Sequence, residues 1–260
     1  MKKYYAIFVI LMCVSGLNAY AQNSVNEARS VIENLYRFYD STDYITFDVR
    51  YQYKSDTLYG NYEEDELVGS YTMAGRRAKF TLDRIEYLQN DKYFVSVDRE
   101  QKYILVADAR KTYGGQYMPM RENLDSLLGA MSNHYSISIA SPENDSIGSI
   151  KFSRNDSLAQ YNYFILYFNQ YENNISGVEF DYYEVSPLVS PKTGEVEYFP
   201  RRRNLKVVFE NYRFEGFSED FFSENAYFFI ENGNLSSSDN FPDYEIYDSR
   251  SRLNIDYELP

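Results

Sequence analysis

Between residues 47 and 54 the chain reads Phe-Asp-Val-Arg-Tyr-Gln-Tyr-Lys, and this strict two-residue alternation constrains the fold more than any other feature. Successive side chains of an extended strand point to opposite faces, so Phe47, Val49, Tyr51 and Tyr53 share one face and Asp48, Arg50, Gln52 and Lys54 the other. Such a strand is apolar on one side and wet on the other, the signature of an antiparallel sheet. The theme continues through Leu67 to Met73 and Ala78 to Leu82, with Gly75 and the basic pair Arg76-Arg77 forming the turn between them. Tyr93, Val95 and Val97 alternate again, and the polar turn Asp98-Arg99-Glu100-Gln101 leads into Tyr103 to Ala107. Strand following strand through short turns predicts a meander.

Two segments break this period. Ser24-Val25-Asn26-Glu27 has the form of a capping box, and Ala28, Val31, Ile32, Leu35 and Tyr39 follow at helical spacing, which predicts a helix from about Val25 to Tyr39. Pro119 suits a first helical position, and Leu124, Leu127, Leu128 and Met131 recur on one face, which predicts a mid-chain helix beginning at Met118. Further strands are expected at Ser136 to Ala140, Ile147 to Phe152, Tyr161 to Phe168, Gly177 to Val185, Glu195 to Phe199 and Asn204 to Glu210. Pro187 to Pro191 with Lys192-Thr193-Gly194 reads as a long hairpin loop. Phe217 to Phe229 reads as a short helix and aromatic plug, and residues 232–260 as a polar, loosely held tail. With no linker in sight, residues 22–231 are expected to form a single domain.

The N-terminus carries an export signal. Lys2 and Lys3 precede an apolar run from Ala6 to Val14, and Ala19-Tyr20-Ala21 supplies the small residues that a signal peptidase reads. The run is shorter than the roughly 20 residues that span a bilayer, so residues 1–21 are expected to be cleaved after Ala21. Cys13 leaves with them, and Met12 is too large to precede a lipidated cysteine. The expected location is the periplasm or outside the cell.

Composition narrows function mainly by exclusion. A formal charge of −13 disfavours nucleic acid as a partner. One Cys and one His leave no raw material for disulfide frameworks, zinc clusters or haem attachment, and no cofactor is implied. No nucleophile elbow, SxxK, HExxH, P-loop or dinucleotide fingerprint occurs, so no enzymatic activity is expected. His134 falls at a helix end and reads as an exposed surface histidine. Glu63-Glu64-Asp65-Glu66 lacks the alternating oxygen ligands and glycine turn of a calcium loop and reads as solvated. Arg201-Arg202-Arg203 reads as pairing with neighbouring surface acids, although contact with a partner's carboxylate or phosphate is the alternative. With 29 Tyr and 18 Phe, the aromatic strand positions support two readings: lining for a wet apolar cavity, or ordinary cross-strand packing.

The order of elements resembles the lipoprotein-carrier family (LolA/LolB-like). The segment Gly69-Ser-Tyr-Thr-Met-Ala-Gly-Arg-Arg-Ala-Lys-Phe80 looks like that family's second-to-third strand region, and Asn90-Asp91-Lys92-Tyr93-Phe94 followed by Tyr103-Ile104-Leu105-Val106 looks like its turn, aromatic strand and returning strand. Departures are the missing proline after the family arginine, the missing glycine of an aspartate-glycine turn, and Phe94 where the family has tryptophan. The match runs over Val25 to Lys111, and by architecture alone beyond.

The resemblance implies a mainly β (α+β) fold: a strongly curved antiparallel sheet forming an incomplete β-barrel, its concave apolar face covered by the N-terminal and mid-chain helices. It implies a lipid or the acyl chains of lipidated cargo as ligand, membrane-associated donor and acceptor proteins as partners, and a monomer. Phe47, Val49, Tyr51, Tyr53, Tyr71, Met73, Phe80 and Leu82 are then expected to line the cavity, and Val31, Leu35, Leu124 and Leu128 to close it. Arg76 or Arg77, at the position of the family arginine, is expected to gate it by bonding to a lid-loop carbonyl. A structural or protein-interaction module without a ligand, on the same scaffold, is the competing reading.

Overall fold

A computed structural model describes residues 24–56, 62–109, 131–141, 145–189, 194 and 196–250. The expected first helix is α1, residues 24–40, whose buried Ala28, Leu35 and Tyr36 lie on the stripe set by the helical spacing. Only residues 131–134 of the expected mid-chain helix are described, and they are helical; Leu124 and Leu128 lie outside the described residues.

The strands are β1 (Tyr44–Asp56), β2 (Tyr62–Ala74), β3 (Arg77–Leu82), β4 (Ile85–Gln89), β5 (Tyr93–Asp98), β6 (Tyr103–Asp108), β7 (Tyr135–Ala140), β8 (Ile147–Arg154), β9 (Tyr163–Asn169), β10 (Asn174–Val189), β11 (Val196–Arg213), β12 (Phe228–Glu231), β13 (Asn234–Ser237) and β14 (Glu245–Asp248). Twelve are hydrogen-bonded in the order β14-β6-β5-β4-β3-β2-β1-β11-β10-β9-β8-β7, and β12 pairs with β13 separately. The fold is mainly β, as expected, and the order has two ends, so among the described residues the sheet is not closed into a barrel. Pairings β2–β3 through β5–β6 and β7–β8 through β10–β11 are antiparallel, whereas β14 lies parallel to β6.

Where one domain is expected, the chain divides into two compact units, and β1, β2 and β11 contribute residues to both. No linker marks this division because it runs through strands of 13 to 18 residues rather than between elements. Of the described residues, the first unit holds 24–39, 51–56, 62–66, 131–141, 145–189, 194 and 196–208, and the second holds 40–50, 67–109 and 209–250.

In the second unit the alternation of β2 to β6 separates two faces. One face buries Ala74, Leu88, Val95, Val97, Ile104 and Val106 against Phe222, Tyr227, Phe228 and Phe241 of the C-terminal segment. This overturns the expected loose tail: β13 pairs with β12, Phe241 is buried, and β14 extends the sheet. Serines and asparagines make residues 232–250 look like linker, but Phe241 anchors them together with Leu235, Tyr244 and Ile246, and Ser238 donates its hydroxyl to the carbonyl of Ala226. The predicted aromatic plug is real, in a different form. Two 3₁₀ turns, Glu219–Phe222 and Glu224–Ala226, deliver the aromatic rings and lead into β12.

At the centre of that packing Glu86 is buried, yet it is fully engaged. Its carboxylate accepts from Lys79 at 3.0 Å, from Arg99 at 2.7 Å and from the Tyr227 hydroxyl. Burial works to raise its pKa, but the bonds from Tyr227, Arg99 and Lys79 outweigh burial and hold it below the ordinary carboxylate value.

Candidate ligand-binding face

The other face of the second unit carries a row of stacked rings. Phe47 of β1 stacks on Tyr71 of β2 at 5.5 Å and 4°. Tyr71 meets Phe80 of β3 at 4.8 Å, Phe80 stacks on Tyr87 of β4 at 6.0 Å, and Tyr87 stacks on Phe94 of β5 at 5.8 Å. Register produces the row: Tyr71 is opposite Phe80, Phe80 opposite Tyr87, and Phe94 is diagonal to Tyr87, which is itself opposite Ser96. Side chains on neighbouring strands sit about 5 Å apart, the spacing at which offset rings stack. Phe209 and Tyr212 of β11 flank Phe47 at 5.5 and 5.2 Å.

Phe47 and Val49 are buried, whereas Tyr71, Met73, Phe80, Leu82, Tyr87 and Phe94 keep part of their surface in solvent. The row is therefore an apolar face with accessible ring edges. Gly69 lets β2 approach β3 closely beside it: a Cβ there would lie 2.1 Å from the Thr81 carbonyl oxygen. Gly75, with φ of +57°, makes the β2–β3 turn.

Of the eight residues expected to line a cavity, Phe47, Val49, Tyr71, Met73, Phe80 and Leu82 belong to the second unit and share this face. Tyr51 and Tyr53 belong to the first. There Tyr53 lies beneath the Arg203 guanidinium, 5.4 Å from the ring centroid, and burial pushes the Tyr51 hydroxyl pKa up. Of the expected closing residues, Leu35 is buried and Val31 half-buried in α1.

Arg76 is exposed at the turn, and Arg77 lies over the Phe222 ring at 5.3 Å. Arg77 pairs opposite Ala74, a core residue of the C-terminal packing, so it sits on the face turned away from the ring row. An open groove of about 380 Å³ runs beside it, lined by Arg77, Lys92, Asp91, Asp220, Ser223 and Glu224 among others. Asn90 in that groove has its amide satisfied by the Phe222 carbonyl and Glu224, and its side-chain oxygen takes the Lys92 and Tyr93 amides.

The first unit has its own aromatic stack, Phe152 on Phe164 at 4.2 Å and Phe164 on Phe180 at 5.9 Å. On its opposite face Glu179 accepts from the Tyr163 hydroxyl at 2.8 Å, the Tyr167 hydroxyl at 2.9 Å and the Asn204 amide at 3.0 Å. Burial and the bond to Glu179 push Tyr167 up to about 12 and raise Tyr163 as well.

Two residues of the arginine run, Arg202 and Arg203, pair with acids as the surface-pairing reading expects. Arg202 grips the buried Asp181 through Nε at 2.9 and 3.2 Å, and Arg203 bonds to Glu184 at 2.8 Å and to the Ser55 hydroxyl. His134 contacts Asp156 at 2.8 Å through Nδ1 at the helix end, and that bond holds the Asp156 carboxyl below its usual range. Glu64 and Glu66 bond to Lys54 and Gln52. Among the described residues no group of three or more His, Cys, Asp or Glu is placed to hold a metal ion. No helix of the described residues is long and apolar enough to cross a membrane.

Sequence reasoning did not place Phe209 and Tyr212 beside Phe47. Phe209 follows Leu205 and Val207 in a legible alternation. Tyr212 does not, because Asn211, in the left-handed region at φ +56°, breaks the period between them.

No family model and no curated protein matches the sequence. Among solved structures, the chain is similar to an uncharacterized conserved protein from Thermus thermophilus, at 8% identity and TM-score 0.40 over 85% of this chain and 99% of that one. It is similar to a LolA superfamily protein from Nitrosomonas europaea at 12% identity and TM-score 0.30, over 76% of this chain and 98% of that one. A putative outer membrane lipoprotein-sorting protein domain from Vibrio parahaemolyticus is similar at 10% identity and TM-score 0.30, over 79% of this chain and 98% of that one. The solved structures to which this chain is similar thus include members of the family that the sequence resembles.

Proposed function

We propose that the chain is an exported carrier that binds a lipid, or the acyl chains of a lipidated cargo, along the ring row of its second unit. The observation that carries this reading is the continuity of the row across five adjacent strands from Phe47 to Phe94, with the rings of Tyr71, Phe80, Tyr87 and Phe94 partly in solvent on β2 to β5. Five strands span roughly 20 Å, a length suited to an extended acyl chain, and each methylene that leaves water contributes about 0.8 kcal/mol. Tyrosine suits such a surface, because its ring is apolar while its hydroxyl stays hydrated. The signal sequence supports export to the periplasm or beyond, where Arg76 and Arg77 would act as the gate that the family resemblance implies.

Native mass spectrometry of residues 22–260 recovered from a bacterial periplasm, followed by lipid extraction, tests the proposal. A stoichiometric co-purifying lipid, lost in Phe80→Ser, is the expected result. A clean apo mass that does not change on adding fatty acids or lipopeptides would reject it. The close stacking of Phe47 on Tyr71 favours one alternative, in which the rings saturate one another and the scaffold serves protein contacts without a ligand.

A further inference from the structure

Among the described residues, β10 beyond residue 181 pairs with β11 alone, and the two form an arm whose base borders β1. β9 pairs with β10 only as far as Tyr163 opposite Asp181, whereas β10 and β11 stay paired out to Val189 opposite Val196. Register places Tyr183, Val185 and Pro187 of β10 on one face of the arm with Arg202, Pro200, Tyr198 and Val196 of β11. Tyr183 is 56% exposed, Val185 63%, Val196 49% and Tyr198 69%. Together these side chains make an exposed apolar patch on the arm.

We propose that this arm docks on the surface of an anionic lipid bilayer, an inference that does not depend on the ring row binding a ligand. Charge supports it. The chain carries −13, which anionic headgroups repel, but the described residues of the arm and its base, 181–189 and 196–203, hold three arginines against Asp181, Glu184 and Glu197 and so carry no net charge. At the base the acid of the Arg202–Asp181 pair is buried, with 2% of its side chain in solvent, while the guanidinium is 53% exposed, so the pair turns its positive end outward. Tyrosine beside arginine is the composition that settles at headgroup depth. The four exposed side chains offer about 400 Å², half of what each partner in a stable protein dimer buries, about 800 Å². A bilayer requires no matching surface.

The chain contains no tryptophan, so a single Tyr198→Trp substitution in the mature protein reports from the arm alone. With phosphatidylglycerol/phosphatidylethanolamine vesicles its emission is expected to shift to the blue and to be quenched by brominated acyl chains. Tyr171→Trp, at an exposed turn of the same unit, is expected to stay unshifted. Replacing Tyr183, Val185, Val196 and Tyr198 with serine should lower vesicle partitioning about tenfold in flotation. Phosphatidylcholine vesicles should bind about tenfold more weakly than anionic ones. No shift at position 198, or an equal shift at 171, overturns the proposal whether or not the serine variant folds. A blue shift that rises with protein concentration and needs no vesicles overturns it in favour of self-association. Fatty-acid binding in the absence of vesicles is expected to be the same in the serine variant, which separates this inference from the carrier reading.

Discussion

The Tyr227 hydroxyl donates to the Glu86 carboxylate across 141 positions of sequence, and this one bond ties the C-terminal segment to the middle of the β3–β6 sheet. Glu86→Ala strands Lys79 and the Tyr227 hydroxyl in a buried site, and is expected to cost about 3 kcal/mol of stability in urea unfolding.

The same carboxylate sets an acid limit. Its folded pKa lies below the ordinary value of 4.5, so its contribution is complete above pH 4.5 and is lost as pH falls through the folded pKa. Glu86→Gln should flatten the acid side of a plot of stability against pH. An unchanged acid slope would show that other carboxylates set it.

At the alkaline end the sign is reversed. Tyr167, raised from 10 to about 12 by burial and Glu179, keeps its proton longer folded than unfolded, so stability is complete below pH 10 and declines as pH rises through about 12. Tyr167→Phe should reduce that decline in thermal melts, and Tyr163→Phe with it should reduce it further.

Gly69→Ala places a methyl group against the Thr81 carbonyl, where backbone must move. A loss of about 3 kcal/mol is expected, read by denaturant midpoint, whereas Gly75→Asn, at a turn position open to the left-handed region, should cost less than 1 kcal/mol by about the same measure.

On the ring row, Phe80→Ser is expected to weaken fatty-acid binding about tenfold while leaving the Glu86 site intact, because the two lie on opposite faces of β3 and β4. Arg77→Leu, on the Glu86 side, should leave the equilibrium affinity unchanged. A change in release rate with that variant would support the gating role that the family resemblance implies.

Much of this was legible from alternation alone. Phe47, Val49, Tyr71, Met73, Phe80 and Leu82 fall on one face because a period of two admits no other outcome in a regular strand. The C-terminal segment escaped for the opposite reason. Phe222, Tyr227, Phe228 and Phe241 follow no period, since they project from 3₁₀ turns, a short hairpin and a loop, and their partners are more than a hundred residues away. Alternation does not mark out β4, because Ile85-Glu86-Tyr87-Leu88-Gln89 has apolar residues on both faces, with Glu86 buried by partners that the local sequence does not show. The reading of β11 as two strands came from Pro200 and the arginine run, which interrupt the apolar pattern without interrupting the pairing.

The C-terminal packing also has a consequence in time. Strands β3 to β6 have left the ribosome well before Phe228 and Phe241 emerge, yet one face of those strands has no cover until they arrive. Contacts that join residue 86 to residue 227 close late and slowly. The second unit therefore stays open until the segment through Phe241 has been synthesised, so an arrest near residue 215 would release a sheet with one apolar face bare to solvent and prone to aggregation.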